Sequence, residues 1–122
     1  MLIDTDLLIW YLKGNNAARQ GIDRLPGFFI SVVTYIELLP GLRNKQELTA
    51  LRHSLRNWNT KALYISEEIS AKALFYVEQY YLSHAVQLAD ALIGATAVAN
   101  GLELLTGNVK HYRRATCKII QW

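Results

Sequence analysis

The chain has 122 residues, 52% of them apolar, and 13 Lys and Arg against 10 Asp and Glu, a formal net charge of +3. That length and apolar content suit a single domain, residues 1–122, with one core of its own, and exclude a fold that depends on disulfide staples. The lone Cys117 can form neither an internal disulfide nor a thiolate zinc site, which points to a reducing compartment.

No uninterrupted apolar run is long enough to span a bilayer. The apolar start lacks a preceding basic region and is broken by Asp4 and Asp6, which argues against a signal peptide and for a cytoplasmic protein. The mild positive balance permits a polyanionic partner without demanding one.

In chain order, Met1 to Thr5 reads as a short buried strand, and Asp4 to Lys13 as the turn and helix after it, stopped by Gly14-Asn15-Asn16. Ala17 to Leu25 reads as a short helix ended by Pro26-Gly27. Phe28 to Val32, aromatic and β-branched, is a second buried strand. Val33 to Leu39 carries Glu37 on a helix that Pro40-Gly41 bends or ends. Asn44 to Trp58 is amphipathic, with Leu48, Leu51 and Leu55 at helical spacing.

Ala62 to Ile65 is a third strand. Ser66, followed by Glu67 and Glu68, caps a long helix to about Leu82. Ser83 to Gln87 is a polar loop. Leu88 to Asn100 is an apolar helix whose Gly94, Ala95, Ala97 and Ala99 allow close approach to a sheet. Leu102 to Thr106 is a fourth strand, Gly107 to Tyr112 a turn or short helix, and Lys118 to Ile120 a fifth strand. Strands alternating with helices imply an α/β fold whose mostly parallel sheet is covered on both faces.

Ligands of open parallel sheets bind outside the carboxyl ends of the strands. Asp4 lies at the end of strand one, Glu37 one or two helical turns past strand two, Asp90 near the start of the helix leading into strand four, and Asn108 just past that strand. Each has an ordinary reading as well: helix cap for Asp4, Asp6 or Asp90, solvent-facing helix residue for Glu37, turn chemistry for Asn108. Isolated acids in apolar surroundings that converge on one edge repel one another unless a cation holds them.

Four segments, in this order, resemble a known family along nearly the whole chain: Leu2-Ile3-Asp4-Thr5-Asp6-Leu7-Leu8-Ile9, Ser31-Val32-Val33-Thr34-Tyr35-Ile36-Glu37-Leu38-Leu39-Pro40-Gly41, Asp90-Ala91-Leu92-Ile93-Gly94-Ala95-Thr96-Ala97 and Leu104-Leu105-Thr106-Gly107-Asn108-Val109-Lys110-His111-Tyr112. The family is that of PIN-domain ribonucleases of the VapC toxin type. The resemblance implies a three-layer α/β/α fold with a mostly parallel central sheet of four to five strands. It also implies divalent-metal-dependent RNA cleavage using Mg²⁺ or Mn²⁺, a homodimer and a cognate antitoxin.

The acidic site of the family maps onto Asp4, Glu37 and Asp90, as catalytic residues and metal ligands. Asn108 falls where a fourth site residue is commonly Asp or Asn, and Thr5, Asp6 and Thr106 support the site. Asp6 stands where the family often has Asn, and is expected to cap the first helix, while the uncharged Asn108 would orient a water or a carboxylate. Hard oxygen ligands suit Mg²⁺ or Mn²⁺, which lower the pKa of a bound water. By the same resemblance, in-line hydrolysis is expected to leave a 5′-phosphate.

Arg43, Lys45, Lys110, Arg113 and Arg114 flank the Glu37 and Asn108 segments and are candidate phosphate contacts. His53, His84 and His111 lack zinc-motif spacing and read as ordinary polar residues. Trp10, Tyr11, Leu42 and Tyr80-Tyr81 offer apolar surface for a second copy or for an amphipathic antitoxin segment. Two other functions remain open. Asp4-Thr5-Asp6 also resembles the opening of haloacid-dehalogenase-type phosphatases, with Asp4 as nucleophile, although the downstream acids and cap insertion of that family are missing. A non-catalytic RNA-binding module is the other.

Overall fold

Alternation along the short strands decides the layers. In β1 (Leu2–Ile3) and β2 (Phe28–Ser31) of the computed structural model, successive side chains leave opposite faces of the sheet. Ile3, Phe28 and Ile30 join one apolar cluster with Leu7, Leu8, Leu38, Leu51 and Leu55. Leu2 and Leu104 join another with Ile93, Ala97 and Tyr112, and Phe29 packs against it. A sheet apolar on both faces must be covered on both.

Helices α1 (Thr5–Leu12), α2 (Asn16–Asp23) and α4 (Lys45–Asn57) cover the first face, with Leu38 of α3 (Val32–Leu38) completing it. On the other face α6 (Leu88–Ala99) lies against the sheet through Ile93 and Ala97. Its small residues serve a second purpose: Ala91 and Ala95 meet Ile69 and Ala73 of α5 (Glu67–Tyr80), the outer helix on that side. The architecture is the expected α/β/α sandwich. Residues 1–83 and 85–112 are described in full and 119–121 as a strand. The expectations for His84, Arg113, Arg114 and Cys117 fall outside the described residues.

With β3 (Thr60–Leu63), β4 (Leu104–Thr106) and β5 (Ile119–Gln121), the sheet has the order β3-β2-β1-β4-β5, and every neighbouring pair is parallel. Leu2 is in register with Phe29 on one side and Leu104 on the other. The chain runs outward from β1 to β3 and then returns across the sheet to β4, so its winding reverses beside β1. That reversal opens a crevice at the carboxyl ends of β1 and β4.

Several boundaries depart from expectation, β3 also ending at Leu63 instead of Ile65, and two departures have a cause in the backbone. The first strand stops at Ile3 instead of Thr5, because Asp4 already has N-cap geometry and its side chain accepts the Thr5 N–H. The third strand begins at Thr60, two residues before the expected Ala62, because Asn59, at φ 53°, turns the chain directly out of α4. Gly27 enters β2 beside that turn at φ 146°, where a Cβ would stand 3.2 Å from Asn59 Nδ2 and 3.3 Å from its carbonyl oxygen, so a larger residue would be both crowded and strained. The fourth strand starts at Leu104, later than Leu102. Among the described residues no helix is long and apolar enough to cross a membrane.

Candidate active site

Asp4 stands where β1 ends and α1 begins, 5% exposed. Its Oδ1 accepts from the Thr5 N–H at 2.8 Å and the Tyr112 hydroxyl at 3.0 Å, and its Oδ2 accepts from the Thr106 hydroxyl at 2.7 Å. These bonds offset the several kcal/mol that burying a carboxylate costs. The donors come from the first turn of α1, the end of β4 and the residue closing the 3₁₀ turn Val109–His111. A carboxylate offers about four acceptor positions, so Asp4 keeps capacity for one more partner.

Asp90 reaches the same place from the first turn of α6. Its Oδ1 lies 3.3 Å from the Tyr112 hydroxyl and its Oδ2 3.2 Å from His111 Nδ1. Burial raises the Asp90 pKa above the ordinary carboxylate value; His111 opposes that shift, and the charges of Asp4 and Glu37 add to it. Burial, then the charges of Asp4 and Asp90, push the Tyr112 phenol far above its usual range, so it keeps its proton.

Glu37 approaches from the last turn of α3 with its side chain exposed. Its Oε1 is 2.7 Å from Thr5 Oγ1, which is also 2.9 Å from the buried Thr34 Oγ1. Thr5 has one proton and the carboxylate is an acceptor only, so Thr5 donates to Glu37 and accepts from Thr34. Glu37 is thus tied to the residue beside Asp4.

Asp6 is not the cap of the first helix; Asp4 is. Asp6 lies within the first turn, where its Oδ1 accepts the Leu7 N–H at 2.8 Å, while its Oδ2 accepts the Gly107 N–H at 3.0 Å and Asn108 Nδ2 at 3.1 Å. Asn108 therefore orients a carboxylate, as expected of an amide there, but the carboxylate is that of Asp6. Thr106 accepts the Asn108 N–H at 2.9 Å, which fixes the turn from a second side. Burial and the nearby Asp4 charge raise the Asp6 pKa to about 6, against the lowering by the Gly107 and Leu7 N–H groups.

The sequence-based reading left two participants without a role. Tyr112 lay inside a motif segment, but nothing in its spacing tells that a phenol would bridge Asp4 and Asp90. His111, read as an ordinary polar residue, is 40% exposed yet pairs with Asp90. Of the candidate RNA contacts, Arg43 is 86% exposed with its guanidinium 3.3 Å from Glu47, and Lys45 and Lys110 are exposed. A groove of about 520 Å³ opens beside Asp90 between α5 and α6, lined by Lys72, Phe75, Tyr76, Gly94 and His111 among others.

With this geometry in place, comparison with known proteins is decisive. A PIN-domain model matches residues 1–116. The chain belongs to the PIN-domain family. It is 37% identical to Ribonuclease VapC10 of Mycobacterium tuberculosis, over 92% of this chain and 85% of that protein. Its fold matches a toxin–antitoxin complex from Klebsiella pneumoniae at a TM-score of 0.76, with 28% identity over 98% of this chain and 94% of that one. It also matches VapBC-1 of nontypeable Haemophilus influenzae at a TM-score of 0.82, with 24% identity over 99% and 96%. The phosphatase alternative, with Asp4 as nucleophile, falls with this membership.

PIN-domain ribonucleases in general depend on a divalent metal. Among the described residues, no three His, Cys, Asp or Glu side chains stand close enough together to hold a metal ion as a group, so Asp4, Asp90 and Glu37 do not form a ready three-carboxylate site. The Thr5 and Tyr112 hydroxyls stand between the carboxylates, and the set is open. An open, all-oxygen set still fits a hard cation, because Mg²⁺ keeps several waters and needs only one or two carboxylates. The upward shift at Asp90 comes first from burial, with His111 opposing it and the charges of Asp4 and Glu37 adding to it, so a cation beside Asp90 would offset the cost of keeping a half-buried carboxylate charged.

Proposed function

We propose that residues 1–122 act as one nuclease domain, a metal-dependent endoribonuclease that hydrolyses RNA phosphodiesters as the toxin of a toxin–antitoxin pair. The observation that carries this reading is the meeting of Asp4 and Asp90 on the Tyr112 hydroxyl at the sheet's carboxyl edge, with Glu37 tied to Thr5 beside them. Asp4 and Asp90 are the residues to hold Mg²⁺ or Mn²⁺, with Glu37 as a third ligand or as the base. A bound cation would supply positive charge to the phosphate oxygens and make a water more acidic.

The chain's own groups do the rest. Thr5 holds Glu37 Oε1, leaving Oε2 to take a proton from the attacking water. Thr106 and the Thr5 N–H fix the Asp4 carboxylate. Asn108 acts at one remove by holding Asp6, and with it the turn that follows β4. Lys110, next to His111, is the described cation best placed to meet a phosphate, and Arg43 and Lys45 are further candidates. Cleavage in the cytoplasm, where RNA substrates such as tRNA or rRNA are found, suits such a site.

Two exposed apolar faces support the partners. Ile9, Trp10 and Leu12 on α1 are at least a third exposed, as is Ile36 on the adjoining α3, and together they offer a seat for an antitoxin segment. Leu74, Phe75 and Tyr81 on and after α5 are about 60% exposed and suit a homodimer contact.

The test is RNA cleavage with Mg²⁺ or Mn²⁺ by the wild type, Asp4→Asn and Asp90→Asn, each shown to be folded by circular dichroism. Both variants lose cleavage. Unchanged turnover in either refutes the assignment, and binding without cleavage by the wild type selects the non-catalytic RNA-binding alternative.

A further inference from the structure

Tyr112 is held on every side at the site. It is 1% exposed, and its ring packs among Leu2, Ile93, Ala97 and Leu104. Its N–H donates to the Val109 carbonyl at 3.0 Å, closing the 3₁₀ turn. A ring gripped in that way leaves its hydroxyl no other place to go. The hydroxyl then has one proton for two carboxylates, Asp4 Oδ1 at 3.0 Å and Asp90 Oδ1 at 3.3 Å.

The two carboxylates do not depend on it equally. Asp4 is also held by the Thr5 N–H and the Thr106 hydroxyl, so it stays in place with or without Tyr112. Asp90 lies on a different element, and among the described residues the other side chain within bonding distance of it is His111, which is 40% exposed. Among the described residues, the Tyr112 hydroxyl is therefore the fixed point in common between the strand-end acid and the helix acid.

We propose that Tyr112 is a positioning residue of the metal centre, its hydroxyl setting the separation and aim of Asp4 and Asp90 so that both can reach one divalent cation. The inference rests on the reading that these two acids hold the cation. A hydrogen-bonding residue behind a ligand commonly changes metal affinity by about 10- to 100-fold when removed. Because Tyr112 acts through the acids and touches no RNA, its loss weakens metal binding and leaves substrate binding intact.

The experiment is a calorimetric titration of the metal-free protein with Mn²⁺, comparing wild type, Tyr112→Phe and Asp4→Asn. Phenylalanine keeps the packed ring, and circular dichroism melts in EDTA verify the fold. Tyr112→Phe is expected to bind Mn²⁺ about 10- to 100-fold more weakly. In cleavage assays it needs correspondingly more Mn²⁺, recovers most of kcat at saturation, and shows an unchanged KM for RNA. Wild-type Mn²⁺ affinity in Tyr112→Phe, alongside lost binding in Asp4→Asn, overturns this role for Tyr112 alone. Wild-type affinity in Asp4→Asn overturns the metal assignment beneath it. A lowered melting temperature with unchanged Mn²⁺ affinity reduces Tyr112 to a packing residue and likewise refutes the proposal.

Discussion

Thr106→Val isolates what the buried hydroxyl at the end of β4 contributes. Valine reproduces the shape of threonine, and Thr106 is 0% exposed, so the change is one of hydrogen bonding more than volume. Two bonds go: the donation to Asp4 Oδ2 at 2.7 Å and the acceptance of the Asn108 N–H at 2.9 Å. A bond to a charged group contributes about 1.5–3 kcal/mol, and a half-buried N–H left without its partner costs about 1 kcal/mol more. Burying a methyl in place of the hydroxyl returns about 0.8 kcal/mol. The net loss is about 2–3 kcal/mol, or roughly a 10 °C fall in Tm for a domain of this size.

Thr106→Ser keeps both bonds, gives up one methyl and costs only about 1 kcal/mol. Urea denaturation of the metal-free protein measures both, and Asp4→Asn supplies a double-mutant cycle. With the charge at residue 4 removed, the valine penalty shrinks to about 1 kcal/mol. A valine variant within 1 kcal/mol of wild type, or a serine variant as unstable as the valine one, refutes the reasoning.

Two further predictions concern the metal and the RNA. Saturating Mg²⁺ or Mn²⁺ stabilises the wild type, by about 2.7 kcal/mol at a hundred times Kd, and differential scanning fluorimetry shows a much smaller shift in Asp90→Asn; equal shifts would place the ion elsewhere. Lys110→Ala, made in Asp4→Asn so that RNA is not cut if the site assignment holds, weakens RNA binding and lowers the slope of log affinity against log salt by about 0.7–1, read by fluorescence anisotropy. Parallel salt plots remove Lys110 from the interface.

The layers were legible because the determinants are local. Phe28 to Ser31 alternates between faces, Ser66 caps α5 through the Ile69 N–H as its sequence context implies, and the small residues of α6 announce close packing. The acids were legible as exceptions to apolar patterning. The division of labour between Asp4 and Asp6 was not. Both are good caps, and what separates them is Gly107 and Asn108, a hundred residues away, reaching Asp6 once the sheet has formed. Tyr112 was hidden for a related reason: a buried tyrosine reads as core until the fold reveals where its hydroxyl ends. The start of β3 escaped because it is set by a positive φ at Asn59, a residue that adopts that conformation only sometimes.

The order of the strands also bears on how the protein is made. β1 emerges from the ribosome first, yet it lies in the middle of the sheet, and one of its two neighbours is β4, about a hundred residues later. A nascent chain that has reached only β3 has made Asp4 and Glu37 but not Asp90, Thr106 or Tyr112. Its central strand still has one open edge. Contacts this distant in sequence close late, so the parts of the proposed cleavage centre stay apart until nearly all the chain described here has been synthesised. A PIN-domain chain built in this order does not bring the proposed site's acids together until that point.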